Sequence, residues 1–262
     1  MTLKIDRFRE LHASACFVIP NPWDIGSARL LEHLGFQALA TTSSGFAWST
    51  GRRDNHITLD DALAHFSAMS AAVSVPLNGD FEGGFAVQPE GVAENFAKAA
   101  ATGVAGLSIE DSTGDANAPL YDFDLAVERV RAAREAAPEI VLTARHEGYL
   151  VGHADLDETI RRLRAYSEAG ADCLYAPGPR KLDDLQAIVE AVAPKPVNVL
   201  VSSDFTTVDE MARIGVRRIS VGGALARAAW RGFLDAATEI ATHGTFSGLA
   251  MAIPGVELNN KF

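Results

Sequence analysis

Pro76-Leu77-Asn78-Gly79-Asp80-Phe81-Glu82-Gly83-Gly84 reads as a short strand that runs into two carboxylates and a glycine pair. Side chains alternate faces in an extended chain, so Asp80 and Glu82 are expected on one side, while the glycines release the backbone into a loop. A second stretch, Ala105-Gly106-Leu107-Ser108-Ile109-Glu110-Asp111, repeats the design, apolar until Glu110 and Asp111 arrive at its end. Acids crowded at strand ends repel one another, and a hard divalent cation with oxygen ligands relieves that repulsion. The plainer alternative is that these acids cap their strands in solvent.

The same beat extends in both directions. After an amphipathic opening helix ending near His12, strands are predicted at 16–20, 38–42, 75–81, 106–110, 140–145, 172–176, 196–201 and 217–221. Helices are predicted between them at 27–33, 59–72, 89–101, 125–136, 156–168, 182–192 and 207–213, most of them stopped by glycine or proline. A last helix, 225–241, follows the eighth strand. Eight short apolar strands separated by amphipathic helices call for a parallel sheet, and eight units in 262 residues favour closure into a (β/α)8 TIM-type barrel over an open doubly wound sheet. No GxGxxG follows the first strand and no GxxxxGK[ST] occurs, so the usual support for a nucleotide-binding open sheet is missing. The reading is one barrel domain over 1–262, with 224–262 as a C-terminal helical extension.

A net charge of −11 and the lack of any Lys/Arg-rich run argue against nucleic acid and anionic membranes as partners. Small molecules and further copies of the chain remain. Cys16 and Cys173 lie far apart in predicted strands without metal-ligand spacing, which suits reduced thiols and a cytoplasmic setting. No secretory leader pattern and no run of about twenty apolar residues is present.

In a parallel barrel the residues just past the strand C-termini share one mouth. Here they are Asn21 and Asp24, then Thr42 to Gly45, Asp80 and Glu82, Glu110 and Asp111, and Arg145, His146 and Glu147. A guanidinium aimed into a mouth of acids suits a substrate carboxylate or phosphonate, or alternatively an ion pair with Glu110 or Asp111, and the two roles can coexist. Ser43-Ser44-Gly45 could offer amides and hydroxyls to an anion. Arg52, Arg53 and Asp54 follow a glycine-punctuated loop that could close over the mouth or form a solvated turn. The connection from Ser112 to Asp122 has little apolar content and reads as a mobile lid. His56, His146 and His153 lack HExxH-type spacing and are read as surface or supporting residues.

These pieces, in this order, resemble the isocitrate lyase and phosphoenolpyruvate mutase superfamily over nearly the whole chain. The matching runs are Asn21-Pro22-Trp23-Asp24 with Ser27-Ala28-Arg29, Ser43-Ser44-Gly45, Asp80-Phe81-Glu82-Gly83-Gly84-Phe85, Ile109-Glu110-Asp111 and Ala144-Arg145. The resemblance implies a (β/α)8 barrel whose magnesium, or manganese in its place, is held largely through waters by Asp80, Glu82 and Glu110, with Asp54 nearby. It implies Arg145, Asp54 and Glu110 as catalytic residues, and Trp23, Ser43, Ser44, Gly45, Arg145 and Asn198 around a small anionic carboxylate substrate. It also implies a homo-oligomer, a dimer or tetramer that exchanges its C-terminal helix.

Departures narrow the chemistry. Lyases acting on isocitrate, methylisocitrate or dimethylmalate carry a catalytic cysteine in a Lys-Lys/Arg-Cys-Gly-His type loop, where this chain has Ser112-Thr113-Gly114-Asp115-Ala116-Asn117-Ala118-Pro119. Phosphonate-handling members carry a lysine, an asparagine and a serine there, of which only the asparagine has a counterpart, Asn117, and no lysine is present in this loop. Pro177 stands where a strand-six glutamate or histidine is common, and the strand-seven asparagine survives only as a shifted Asn198. The expected activity is a magnesium-dependent lyase on a small 2-oxo or 2-hydroxy carboxylate, working through an enolate. Oxaloacetate-like decarboxylation is favoured because it needs little beyond an enolate stabiliser. The alternatives are P–C bond chemistry of the mutase or phosphonopyruvate hydrolase kind, and a noncatalytic carboxylate binder.

Overall fold

The computed structural model describes residues 2–262. After α1 (Thr2–Ala13), eight strands follow: β1 (Phe17–Ile19), β2 (Leu39–Ala40), β3 (Leu77–Asp80), β4 (Gly106–Glu110), β5 (Val141–Arg145), β6 (Cys173–Tyr175), β7 (Val197–Leu200) and β8 (Arg218–Ser220). All pair in parallel in the order β1-β8-β7-β6-β5-β4-β3-β2. The two ends of that order meet where the Ala40 amide donates to the Pro20 carbonyl at 3.1 Å, which brings the sheet round into a (β/α)8 barrel.

The helices are α2 (Ile25–His33), α3 (Ser43–Ser49), α4 (Leu59–Ala72), α5 (Pro89–Ala100), α6 (Phe123–Ala136), α7 (Leu156–Glu168), α8 (Leu182–Val192), α9 (Val208–Arg213), α10 (Ala224–His243) and α11 (Gly255–Asn259). Several start where the sequence supplies a cap. Asp24 accepts from the Ser27 amide, and Thr58 and Thr207 close capping boxes with Asp61 and Glu210. The main apolar core lies between sheet and helices. Phe66, Phe81 and Phe96 meet there, and Gly79 lets α4 approach β3, since a Cβ at Gly79 would sit 2.9 Å from the Phe66 ring.

The barrel interior is polar. Buried Arg218 donates from Nε to Asn198 Oδ1 at 2.9 Å and from Nη2 to Thr143 Oγ1 at 3.0 Å, while its Nη1 lies 3.2 Å from His12 Nε2. Burial and the Arg218 charge push the His12 pKa down to about 3, so α1 plugs the barrel with a neutral imidazole.

One feature differs from the sequence expectation. The stretch 45–51, expected as a loop, is mostly helical: Thr42 caps α3 through the Gly45 amide, and Phe46 stacks on His65 at 3.8 Å. The C-terminal stretch, read from the sequence as a helical extension, leaves most of its apolar side chains exposed, although Phe262 at its end comes back to within 4.0 Å of where a Cβ of Gly26 would stand at the start of α2. Of α10 only Ala226 is buried, and Glu239 accepts from the Ser247 and Gly248 amides to seat the 3₁₀ turn Ser247–Met251 beside it. Phe233, Leu234, Phe246, Leu249, Met251 and Ile253 stay exposed. Among the described residues no helix is long and apolar enough to cross a membrane.

Candidate active site

The C-terminal ends of β3, β4 and β5 bring Asp80, Glu110 and Arg145 together because the strands are in register, Asp80 with Ser108 and Glu110 with Arg145. Arg145 Nη1 lies 3.2 Å from Glu110 Oε2 and 3.6 Å from Asp80 Oδ1, and its Nε pairs with Glu147. Burial opposes the Arg145 charge, but Glu147 and Glu110 beside it hold the guanidinium firmly protonated. Of the two roles weighed for Arg145, the ion pair is present in the structure. Three acids orient the guanidinium, and among the described residues no protein acceptor bonds its Nη2.

Glu82 reaches the cluster by a route that strand alternation does not describe. Extended structure ends at Asp80, and Glu82 sits at φ +46° in the left-handed region, inside a turn closed by the Gly84 amide on the Phe81 carbonyl at 2.8 Å. Its carbonyl accepts from the Glu110 amide at 3.0 Å, so the turn is tied to β4. Burial first, then the charges of Asp80 and Asp54, push the Glu82 pKa up to about 8, and its Oε1 is buried without a hydrogen-bond partner. Burial also raises Glu110 well above the ordinary range, aided by Glu147 and Asp80, and raises Asp54, where Asp80 adds to the effect.

This donor set fits a hard cation: its groups are carboxylate oxygens, one is orphaned, and burial together with neighbouring acids opposes the ionisation of three of them. Among the described residues no three His, Cys, Asp or Glu side chains converge tightly enough to ligate an ion directly.

Serine 43 is differently employed than the anion-cradle reading expects. Its amide and hydroxyl donate to Asp80 Oδ2 at 3.0 and 2.9 Å, so the start of α3 steadies an acid of the cluster. Ser44 Oγ lies 3.0 Å from Thr42 Oγ1, and Gly45 packs so closely on Trp23 that a Cβ there would stand 3.0 Å from the Trp23 Cβ. Among the described residues, Trp23, Ser44 and Gly45 line neither the cavity beneath the cluster nor the cleft beside it. Asn198 lies deeper in the barrel, its Nδ2 donating to Ser220 Oγ at 2.9 Å and its Oδ1 taken by Arg218. It still lines the small polar cavity beneath the cluster, with Asp80, Arg145, Tyr175 and Ser220.

Asp111, read as a mouth residue, is buried and structural. It gathers the Tyr166 hydroxyl at 2.6 Å, His146 Nδ1 at 2.7 Å, the Glu147 amide at 2.9 Å and Arg162 Nη1 at 3.1 Å. Burial would raise its pKa, but the hydrogen bonds from His146 and Tyr166 outweigh that and hold it below the usual range. Through the Glu147 amide this network sets the partner of Arg145. His146 is accordingly a buried supporting residue, whereas His56 and His153 are exposed. Arg52 bonds Asp61 at the start of α4 and so is tied down beside the loop that carries Asp54.

The lid is a folded loop. Ser112 and Leu120 form an antiparallel bridge, the Thr113 amide donates to the Pro119 carbonyl at 3.0 Å, and Asp115 Oδ1 accepts from the Asn117 amide at 2.9 Å. Ser112, Thr113, Gly114 and Tyr121 form one wall of a cleft of about 300 Å3 that holds Glu82 and Glu110 on the other. Sequence reasoning missed Arg129, buried behind this cleft. Its signal was an arginine on the apolar face of a helix, i+3 from Ala126 and i−4 from Ala133.

Comparison with known proteins matches residues 8–241 to the phosphoenolpyruvate phosphomutase family model. A solved structure from Burkholderia cenocepacia J2315, provisionally described as a lyase/mutase, is 48% identical with a TM-score of 0.95, covering 99% of this chain and 95% of that one. Oxaloacetate decarboxylase of Pseudomonas entomophila is 28% identical over 239 residues, 87% of this chain and 81% of its own. Phosphonopyruvate hydrolase, solved with oxalate and Mg++, is 25% identical with a TM-score of 0.85, covering 98% of this chain and 95% of that one.

Proposed function

The chain belongs to the phosphoenolpyruvate phosphomutase family, and we propose that within it this protein is a magnesium-dependent lyase that decarboxylates a small oxaloacetate-like 2-oxo acid through an enolate. The observation that carries this reading is the cluster itself: Asp80, Glu82 and Glu110 crowd beside one oriented arginine, under a lid without cysteine, lysine or histidine. The likeness to an oxaloacetate decarboxylase and to a relative solved with oxalate and Mg++ supports it.

Magnesium held by Asp80, Glu82 and Glu110 would supply electrophilic stabilisation of the developing enolate oxygen. The chain's own residues do the rest. Arg145, oriented by Glu147 and Glu110, presents its free Nη2 to a substrate carboxylate. Scission of the C–C bond to the departing carboxylate releases carbon dioxide and leaves the electron pair on the enolate. Asp54, whose carboxyl is pushed above the ordinary carboxylate value by burial and by the Asp80 charge, is assigned the return of a proton to carbon, a proton it recovers from water. Closure of the Ser112–Asp122 lid over the cleft excludes bulk water during this sequence. Turnover of oxaloacetate that needs magnesium, with pyruvate as product, tests the reading.

The exposed apolar face of α10 and the tail beyond it belong, in this reading, against a second copy of the chain. Trp230, Phe233 and Leu234 lie open together with Leu249 and Ile253, a larger apolar surface than a solvated helix normally leaves. Free Cys16 and Cys173 support a reducing, cytoplasmic setting.

A further inference from the structure

Arg129 stands in the middle of α6 with its side chain fully buried, and no carboxylate pairs with it among the described residues. A buried guanidinium without a counter-ion is costly unless its donors are well used. They are used on one loop. Nη1 donates to the carbonyls of Ala86 and Val87, the latter at 2.7 Å, and Nη2 donates to Gly83 O. Asn95 of α5 takes the two carbonyls between, Gly84 at 3.0 Å and Phe85 at 3.3 Å. Five consecutive carbonyls, 83 to 87, are thus held by two side chains. A Cβ at Gly83 would lie 3.4 Å from Arg129 Nη2, so the loop packs directly on the guanidinium.

That loop needs holding. It carries Glu82 at φ +46° and Phe85 at φ +54°, conformations that L side chains rarely adopt, and it aims Glu82 at Asp80. The flat face of the same guanidinium lies 3.9 Å above the ring of Tyr121, whose amide donates to the Asp111 carbonyl at 2.9 Å where the lid returns to the barrel. Both walls of the cleft, the Glu82 loop and the lid's return, therefore rest on one side chain.

We propose that Arg129 is the positioning residue that sets Glu82 for cation binding and couples the lid to that loop, so that metal affinity and substrate closure both depend on it. The inference rests on the reading of Asp80, Glu82 and Glu110 as the cation's holders. A residue that only stabilised the fold would change the melting temperature and leave magnesium affinity alone.

Calorimetric titration of the full-length protein with magnesium chloride, in the absence of substrate, separates the cases. Arg129→Met is expected to weaken magnesium binding by about 10-fold to 100-fold, the range for residues that orient metal ligands, and to raise KM more than it lowers kcat at saturating magnesium. Arg129→Lys keeps a charge and some donors and should recover part of the affinity. Tyr121→Leu, which leaves the carbonyl contacts and removes only the stacked ring, should weaken binding several-fold while folding normally, and it decides the matter if Arg129→Met does not fold. Magnesium affinity unchanged in the folded variants, whatever their melting temperature, overturns the proposal. If the unsubstituted protein binds no magnesium, the cation reading itself fails, and that result is distinct from a variant that binds as well as the parent.

Discussion

Nη1 of Arg145 stands 3.2 Å from Oε2 of Glu110, across the β4–β5 register that pairs these two residues. Asp80, 3.6 Å from the same Nη1, and Glu147 on Nε complete the acids around this guanidinium. Arg145 also lines the cavity beneath the cluster, and the planar fork it holds there is what a lysine cannot reproduce.

Arg145→Lys keeps a positive charge but loses the planar fork and the Nε contact to Glu147. KM for a carboxylate substrate should rise on the order of tenfold or more, equivalent to about 1.4 kcal/mol, with a smaller effect on kcat. Steady-state kinetics at saturating magnesium check this. A variant that fails to fold would make Arg145 a structural ion-pair residue alone.

Asp80→Ala should abolish magnesium-dependent turnover while preserving the circular dichroism spectrum, because the residue lies at the mouth and outside the apolar core. Ser43 loses its acceptor at the start of α3, so the stability cost should be about 1 kcal/mol. Chemical denaturation alongside the kinetics measures both; unchanged turnover would remove Asp80 from the site.

The pH dependence of cation binding follows from Glu82. Its pKa in the folded protein, about 8, lies above the ordinary value of 4.5, so near neutrality it is largely protonated without a cation. Magnesium competes with that proton. Affinity should rise as pH increases toward about 8 and flatten above it, with a proton released on binding. The sign for the cation-free protein is the reverse: the folded state binds the proton more tightly, so this group's contribution to stability is full below the unfolded pKa and is lost as pH rises through about 8. Titrations in buffers of different ionisation enthalpy report the proton, and magnesium should stabilise most at the alkaline end.

Much of this was readable from the chain. Helices 59–72, 156–168 and 182–192 appear as predicted because each has a clear cap or a clear apolar stripe. Asp80, Glu110 and Arg145 converge because strand ends in a parallel barrel must share a mouth. Glu82 lies outside that logic, since a left-handed residue breaks the two-residue period and long-range contacts hold its turn: the Glu110 amide on its carbonyl, with Asn95 and Arg129 on the carbonyls that follow. Ser43 and Asp111 were legible as polar residues at strand ends but not as anchors, because their partners, Asp80 on another strand and Tyr166 on α7, are long-range. Helix α3 was hidden by its glycine and its serines, which read as loop until Thr42 supplies the cap.

Truncation after Thr242 tests the assembly reading. It removes Phe246, Leu249 and Ile253 from the exposed apolar surface but leaves Trp230, Phe233 and Leu234 on α10. The full-length protein should be a dimer or tetramer by light scattering, and the truncated one should dissociate at lower dilution. A monomeric full-length protein would contradict the reading, and an unchanged oligomer would show that the tail plays no part in it.

The most direct test of the central claim is turnover of oxaloacetate, related 2-oxo acids and phosphonopyruvate by the purified protein, with magnesium and with chelator. The account predicts magnesium-dependent release of carbon dioxide and pyruvate from oxaloacetate, lost in Asp80→Ala and recovered when magnesium is restored to the chelated parent. Turnover of phosphonopyruvate in preference to the 2-oxo acids, or binding across the whole panel without any product, would contradict it.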